Sequence, residues 1–165
     1  AVCFDMGVSA EGIKDAVEKF TGAGRRFEFL GEYDGFMLAD DYAHHPTEIK
    51  ATLSAAKELD YNNVIAVFQP FTFSRTALLK DDFIKALSIA DKVILTPIMG
   101  SREKNTYGIK SEDLAAGLHD VCVVDGFENI ADKIEEIARP GDLVITMGGG
   151  DIYKAAHIIQ GRHAE

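Results

Sequence analysis

The stretch VIAVFQPFTFSRTALLKDDFIKALSIADKVILTP, residues 64–97, reads as a strand, a helix and a second strand. Val64, Ile65, Ala66, Val67 and Phe68 are apolar without alternation, so both faces of that strand must be covered. Leu79, Phe83 and Leu87 then recur at helical spacing after a loop over residues 69–75, and residues 93–96 return to a short apolar run. Two buried strands joined by a helix are the unit of a parallel sheet.

The same alternation continues downstream. Residues 93–96 lead through a long polar loop to a helix over 111–118, residues 121–124 precede Ile130, Ile134 and Ile137, and residues 143–146 precede a helix over 152–159. Four consecutive strand–helix units result. Upstream, Pro46 suits a first helical position, and Ile49, Leu53 and Ala56 recur toward Leu59. The apolar runs 27–31 and 36–40 flank Asp34-Gly35, a hairpin signal. Before them Ser9 caps a helix with Ile13, Ala16, Val17 and Phe20 on one face, ended by Gly22 and Gly24. The expected fold is α/β and doubly wound: a mainly parallel sheet, helices on both faces and an N-terminal antiparallel hairpin, with residues 25–165 as one domain.

Composition narrows the function. At 165 residues, 47% hydrophobic, 27% charged and with 4 prolines, the chain is neither disordered, collagen-like nor a disulfide scaffold. Lys+Arg number 17 against 27 Asp+Glu, and the net charge of −10 has the wrong sign for gripping nucleic acid or an anionic membrane over a broad face. A local basic cluster can still hold a phosphate. Cys3 and Cys122 lie in apolar runs without metal or redox spacing, so both are expected to be buried free thiols of an intracellular chain. No run approaches the roughly 18 apolar residues of a membrane span, and no signal-peptide pattern opens the sequence. Val2, Cys3 and Phe4 follow Ala1 as if the chain began inside a structural element, so it is expected to be cut from a longer one.

In doubly wound sheets ligands bind beyond the carboxyl ends of the strands. The loops to inspect are therefore 40–46, 69–76, 97–110, 125–128 and 147–151. Asp40, Asp41, Tyr42, His44 and His45 crowd the first. Carboxylates there could hold Mg²⁺ or an ammonium group, and a His could donate to an anion; helix capping is the plain alternative. No third soft ligand stands at metal spacing, so no metal site is assigned. In the second loop, Arg75 at a helix start suits a carboxylate or phosphate, unless Thr72, Ser74 and Thr76 merely cap the helix. Ser74 lacks a nucleophile elbow. Gly148, Gly149, Gly150 and Asp151 fail the dinucleotide fingerprint because Tyr153 stands where a glycine is needed, and there is no P-loop. The glycines allow close approach of a ligand or form a tight turn capped by Asp151. Arg25 and Arg26 follow the first helix, where a basic pair suits the dipole. Residues 101–108 fit either a lid or a solvated excursion.

Gly24-Arg25-Arg26-Phe27-Glu28, the run DDYAHHPTE at 40–48, Phe68-Gln69-Pro70, Ser74-Arg75-Thr76 and residues 147–152 together resemble the C-terminal domain of Mur ligases, in order and over nearly the whole chain. The doubled-His form resembles the alanine-adding branch and its close relative, the murein-peptide ligase. The resemblance implies a cytoplasmic three-domain enzyme of peptidoglycan synthesis. Its first domain takes the sugar nucleotide, its central P-loop domain takes ATP, and its third closes over them and receives the amino acid. Residues 1–24 would be the tail of the central domain, residues 25–165 the third domain, and the fragment alone would be inactive.

The implied reaction uses ATP and Mg²⁺, bound mostly by the other two domains, to activate the carboxylate of UDP-N-acetylmuramate as an acyl phosphate. The amine of L-alanine then attacks to form an amide. Position by position, the resemblance makes Arg26 the nucleotide contact and Asp41 the acidic residue supporting the nucleotide and catalytic arrangement. It places Tyr42 and His44 near the amino acid, Arg75 on its carboxylate, and Gly149 and Asp151 in the loop lining that side. Where many relatives carry His-Arg this chain has Phe71-Thr72, so a second basic contact is lost or comes from Arg102 or Lys104. The competing readings are another Mur-type amino donor, the murein-peptide recycling branch, or a stand-alone flavodoxin-like binding module.

Overall fold

The computed structural model describes residues 2–19 and 23–164. In chain order the elements are α1 (Val2–Asp5), α2 (Ala10–Lys19), β1 (Glu28–Tyr33), β2 (Phe36–Asp41), α3 (Pro46–Lys57), β3 (Val64–Phe68) and α4 (Phe73–Leu78). There follow α5 (Lys80–Leu87), β4 (Lys92–Leu95), α6 (Ser111–Ala115), β5 (Val121–Val123), α7 (Phe127–Ile137), β6 (Leu143–Met147) and α8 (Tyr153–Arg162). The sheet order is β1-β2-β6-β3-β4-β5, antiparallel between β1 and β2 and parallel elsewhere. The expected mixed, doubly wound sheet is present.

The hairpin turns on Asp34 and Gly35, whose φ values of 49° and 84° are both left-handed, as a two-residue turn matching strand twist requires. Tyr33 pairs with Phe36, and an irregularity between Phe29 and Gly31 sets Glu28 opposite Asp40. Both strands reach further than the apolar runs alone indicated.

All five residues of β3 are buried, in strict alternation between two cores. Val64, Ala66 and Phe68 pack with Ile49 and Leu53 of α3 and Phe83 and Leu87 of α5. Ile65 and Val67 face Ile130 and Ile134 of α7 and Ala155 and Ile159 of α8. Two covered faces are why the strand reads as an unbroken apolar run.

β6, the last strand in sequence, is inserted between β2 and β3. Its register sets Met147 beside both Asp41 and Phe68, so three strand ends stop at one level. The helices after β2 and β3 lie on one face of the sheet and α8 on the other. The crevice of a doubly wound fold opens at such a switch point.

Some local expectations need correction. A helix, α4, begins within the expected 69–75 loop, and it breaks from α5 at Leu79, whose backbone (φ −111°, ψ 20°) leaves the helical region. α6 stops at Ala115 rather than 118, because Gly117 and Leu118 donate three residues back, to Leu114 and Ala115, and tighten the chain into a turn. Ser9 does cap α2, its Oγ accepting from Gly12 N at 3.1 Å. Phe20 and Gly22, expected on that helix and at its end, lie outside the described residues. No residue of α1 or α2 is buried. Cys3 is accordingly exposed rather than buried, beside a groove of about 320 Å³ lined by Val8, Ile13, Ala16 and Val17. Cys122 is only half-buried, on the edge strand β5; burial there pushes its thiol up. Among the described residues no helix is long and apolar enough to cross a membrane.

Phe68, fully buried at the level of the crevice, packs against Phe83 with ring centroids 5.5 Å apart. Phe68→Ala is expected to lower the free energy of urea unfolding by about 3–5 kcal/mol, as large-to-small aromatic truncations in cores do. A loss below about 1 kcal/mol would mean that this face is not close-packed.

Candidate functional site

The crevice is built from the residues that close the strands. β2 ends in two buried carboxylates, Asp40 at 2% exposure and Asp41 at 7%, which burial makes costly unless they are partnered. Asp40 Oδ2 accepts from Arg25 Nε at 2.7 Å and Oδ1 from Thr146 Oγ1 at 2.6 Å. Asp41 Oδ2 accepts from Phe27 N at 2.8 Å and Oδ1 from Ala43 N at 2.6 Å. All four oxygens therefore have partners within the chain. Among the described residues no group of three or more His, Cys, Asp or Glu is placed to hold a metal ion. The residues present do not fit Mg²⁺ by themselves, and Asp41 holds the entry to β1 against the turn after β2.

The two adjacent arginines part company. Arg25 is half-buried: besides Asp40, its Nη2 donates to Gly148 O at 2.9 Å and its Nη1 to Gly150 O at 3.3 Å. Its guanidinium lies 5.1 Å from the Tyr42 ring and 4.7 Å from the Tyr153 ring. Arg26 is exposed, rests 5.6 Å from the Tyr42 ring and makes no side-chain hydrogen bond among the described residues. One arginine is a clamp and the other is a presented cation.

Tyr42 meets His44 edge-on, with ring centroids 5.2 Å apart. His44 Nδ1 lies 3.0 Å from Tyr42 O and 3.3 Å from Glu48 Oε2. Both are acceptors, so the Nδ1–H tautomer is assigned from this network, leaving Nε2 as the nitrogen that can accept a proton. His45 diverges from it. Its Nδ1 accepts from Thr47 N at 3.3 Å and caps α3, while Glu48 Oε2 accepts from the amides of His44 and His45 at 3.0 and 3.1 Å. This reciprocal capping box orients His44 through its backbone. Burial pushes the Glu48 carboxyl up, but the two amides and the neighbouring imidazoles outweigh it and hold the group below its ordinary value. His45 also borders a groove of about 520 Å³ with Lys50, Asp82 and Lys85. That groove lies between α3 and α5.

The loop after β6 closes over this turn. Gly148 has φ 156° and donates to Asp41 O at 3.2 Å; a Cβ there would meet Gln69 O at 3.1 Å. A Cβ on Gly149 would stand 3.2 Å from His44 Cγ, so the absent side chain lets these two groups meet. Asp151 N donates to Gln69 Oε1 at 2.8 Å, and the Asp151 carboxylate pairs with Lys154 at 3.1 Å.

On the β3 side, Arg75 stands in α4. Its Nη1 is buried and has no hydrogen-bond partner, the one such side-chain atom among the described residues. Thr72, expected to cap this helix, makes no capping bond; Thr76 Oγ1 instead donates back to Thr72 O at 2.7 Å. The end of α4 is served by Glu103, which accepts from Ser74 N at 2.9 Å and Ser74 Oγ at 2.6 Å. Those two donors, with the Arg75 charge, hold the Glu103 carboxyl below its ordinary value. The long loop is thus tied to the crevice at residue 103, and Ser74 is engaged rather than poised as a nucleophile.

Arg26, Tyr42, His44 and Gly149 form one neighbourhood, Asp41 bonds the backbone of residues 27 and 43 beside it, and Arg75 stands in α4 after β3. Three contributors carry no site role in the sequence reading: Arg25, Gln69 and Glu103. The hairpin could have revealed the first, since a turn at Asp34-Gly35 carries residues 25–27 alongside 40–42.

Glu48→Ala is expected to cost about 0.3–1 kcal/mol at neutral pH, the scale of a carboxylate at a helix N-terminus. Because the Glu48 carboxyl is lowered in the folded chain, its contribution is fully present above the ordinary carboxylate range and is lost as pH falls through it. Urea unfolding of both chains between pH 3 and 7 (about one point per unit) checks this. A difference that stays constant to the acid end would contradict the charged capping box.

Residues 25–150 match the family described as Mur ligase, glutamate ligase domain. The chain is 47% identical over 163 residues to UDP-N-acetylmuramate–L-alanine ligase of Caldicellulosiruptor saccharolyticus, covering 96% of this chain and 36% of that one. It therefore spans about a third of the length of the curated relatives it matches. Among solved structures, the UDP-N-acetylmuramate–alanine ligase of Thermotoga maritima superposes with a TM-score of 0.75 at 24% identity, over 98% of this chain and 35% of that chain. A bifunctional folylpolyglutamate synthase/dihydrofolate synthase of Yersinia pestis, complexed with AMPPNP and Mn, gives 0.69 at 20% identity, over 95% and 35%. At these identities the two structures establish the fold.

Proposed function

The chain belongs to the Mur ligase family, and from that premise we propose that it is the amino-acid-accepting part of an ATP-dependent ligase that joins L-alanine to UDP-N-acetylmuramate. Residues 1–24 are the tail of the preceding ATP-binding domain and residues 25–165 the closing domain; the family match beginning at residue 25 supports that boundary. The activity belongs to the longer protein, in the cytoplasm, where ATP and the sugar nucleotide are available.

One observation carries this reading: Arg75 holds a buried, unpartnered guanidinium nitrogen at the carboxyl edge of the sheet. A buried donor left unmade costs about 1–3 kcal/mol, a cost an arriving carboxylate removes. Arg75 is assigned to the alanine carboxylate, which a guanidinium fits in bidentate fashion. Arg26, exposed and without an ion pair among the described residues, meets the nucleotide phosphates when the domain closes. His44 offers Nε2 to the alanine ammonium, which must lose a proton before the nitrogen can attack. Gly149 leaves room beside it, and Tyr42 forms the wall shared by Arg26 and His44. Asp41 acts through what it holds, the backbone of residues 27 and 43, and is a positioning residue. Asp151, paired with Lys154, marks the end of the lining loop.

In the proposed reaction an oxygen of the muramoyl carboxylate takes the γ-phosphoryl group of ATP, giving an acyl phosphate and ADP. The neutral alanine nitrogen adds to its carbonyl, and the tetrahedral intermediate expels phosphate, which carries away the remaining nitrogen proton, to leave the amide. Mg²⁺ enters with the nucleotide on parts of the longer protein, since the carboxylates here are already engaged. The role of this domain is to bind the amine, orient it and exclude water from an acyl phosphate that hydrolysis would destroy.

The test is ligation by the full-length protein with L-alanine, L-serine, glycine and the muropeptide tripeptide as amine donors. L-Alanine is expected to be preferred. Arg26→Ala should lower kcat/KM by about 100-fold with little change in unfolding midpoint; Asp41→Asn should lower it comparably and also cost about 1–3 kcal/mol of stability, because the new amide faces a buried backbone N–H; and Arg75→Ala should raise the KM for alanine more than that for ATP. Preference for the tripeptide would transfer the chain to the recycling branch, and near-normal rates in the variants would overturn the site.

A further inference from the structure

We propose that Arg25 is a positioning residue coupling the segment that enters β1 to the glycine-rich loop after β6, so that the aim of Arg26 and the shape of residues 148–150 are set together. Arg25 and Phe27 both have left-handed backbone, with φ of 57° and 47°. Non-glycine residues hold such conformations only where their surroundings impose them. Here three bonds do so: Arg25 N to Glu28 Oε2 at 2.6 Å, Tyr42 N to Arg25 O at 2.8 Å, and Phe27 N to Asp41 Oδ2 at 2.8 Å. Arg26, between the two clamped residues, is held out toward solvent.

The Arg25 side chain carries the same constraint across the crevice. Its Nε is fixed by Asp40, which β6 also holds through Thr146, and its two terminal nitrogens reach the carbonyls of Gly148 and Gly150. The rings of Tyr42 and Tyr153 lie near the guanidinium and favour its charge. A planar fork can serve a carboxylate and two carbonyls at once; a lysine ammonium is a single point and cannot span them. Residues 123 and 125 positions apart are thereby joined by one side chain. Movement of the entry segment on domain closure then shifts the loop beside His44, and binding on the loop side biases Arg26.

Two measurements test the coupling. In hydrogen exchange on this chain, Arg25→Lys should speed the amides of residues 26–28 and 148–151 together, each by about tenfold, the scale of one charge-assisted hydrogen bond, with β3 unchanged. Speeding at only one of the two segments, or at neither, overturns the proposal. The kinetic arm rests on the function proposed above. In the full-length ligase Arg25→Lys should raise the KM for ATP and for the amine donor by similar factors, whereas Arg26→Lys raises that for ATP alone. Millimolar guanidinium should partly restore Arg25→Ala, which a general folding fault would not allow; no restoration counts against the coupling. If the wild-type protein ligates no amine, the functional reading fails while the exchange result still decides the coupling.

Discussion

A carboxylate at the end of a central strand sets the terms for the rest of this molecule. Asp40 is almost wholly buried between β1 and β6, where an unpaired charge would be prohibitively costly. Satisfying it draws in Arg25 from ahead of β1 and Thr146 from β6. Once Arg25 is seated, the carbonyls of Gly148 and Gly150 complete its donors and the glycine-rich loop is placed. Asp41 then fixes the backbone on both sides of the same turn. Burial of this acidic pair thus determines where the glycine-rich loop and the segment entering β1 sit, and Arg26 stands exposed beside Tyr42.

The insertion of β6 makes this possible. Because Asp41, Met147 and Phe68 end at one level, the turn after β2, the glycine-rich loop and the approach to Arg75 share one edge. Local cationic groups on that edge reconcile a net charge of −10 with the phosphate-bearing and carboxylate-bearing ligands proposed for it. Some acidic residues serve helix surfaces instead, as Glu128, Asp132 and Glu135 do around Arg162.

The parts of this architecture visible in the sequence were those with a local signature. Val64 to Phe68 announced a strand covered on both faces, Asp34-Gly35 a two-residue turn, and Pro46 a helix start. DDYAHHPTE marked the chemistry because its residues are contiguous. Features that depend on distant partners left no such trace. Arg25 looked like its neighbour Arg26 until Asp40 and the glycine carbonyls were beside it. Glu103 reaches Ser74 from 29 residues away, and no periodicity reports that contact. α4 has only six residues and no capping side chain at Thr72, so its start carries no helix signal in the sequence. Cys3 sits in an apolar run, yet that run belongs to a helix with no buried residue, and apolar neighbours in sequence did not mean burial in space.

The central claim is that this edge of the sheet receives an amino acid and, on closure, a nucleotide. The most direct measurement is a crystal structure of the complete ligase trapped with ADP and a non-hydrolysable mimic of the tetrahedral intermediate carrying the alanine carboxylate. The account predicts the Arg75 guanidinium within hydrogen-bond distance, about 2.7–3.2 Å, of that carboxylate, Arg26 on the nucleotide phosphates, and the Arg25–Asp40–Thr146 linkage intact. A carboxylate held elsewhere with Arg75 still unpartnered would contradict it.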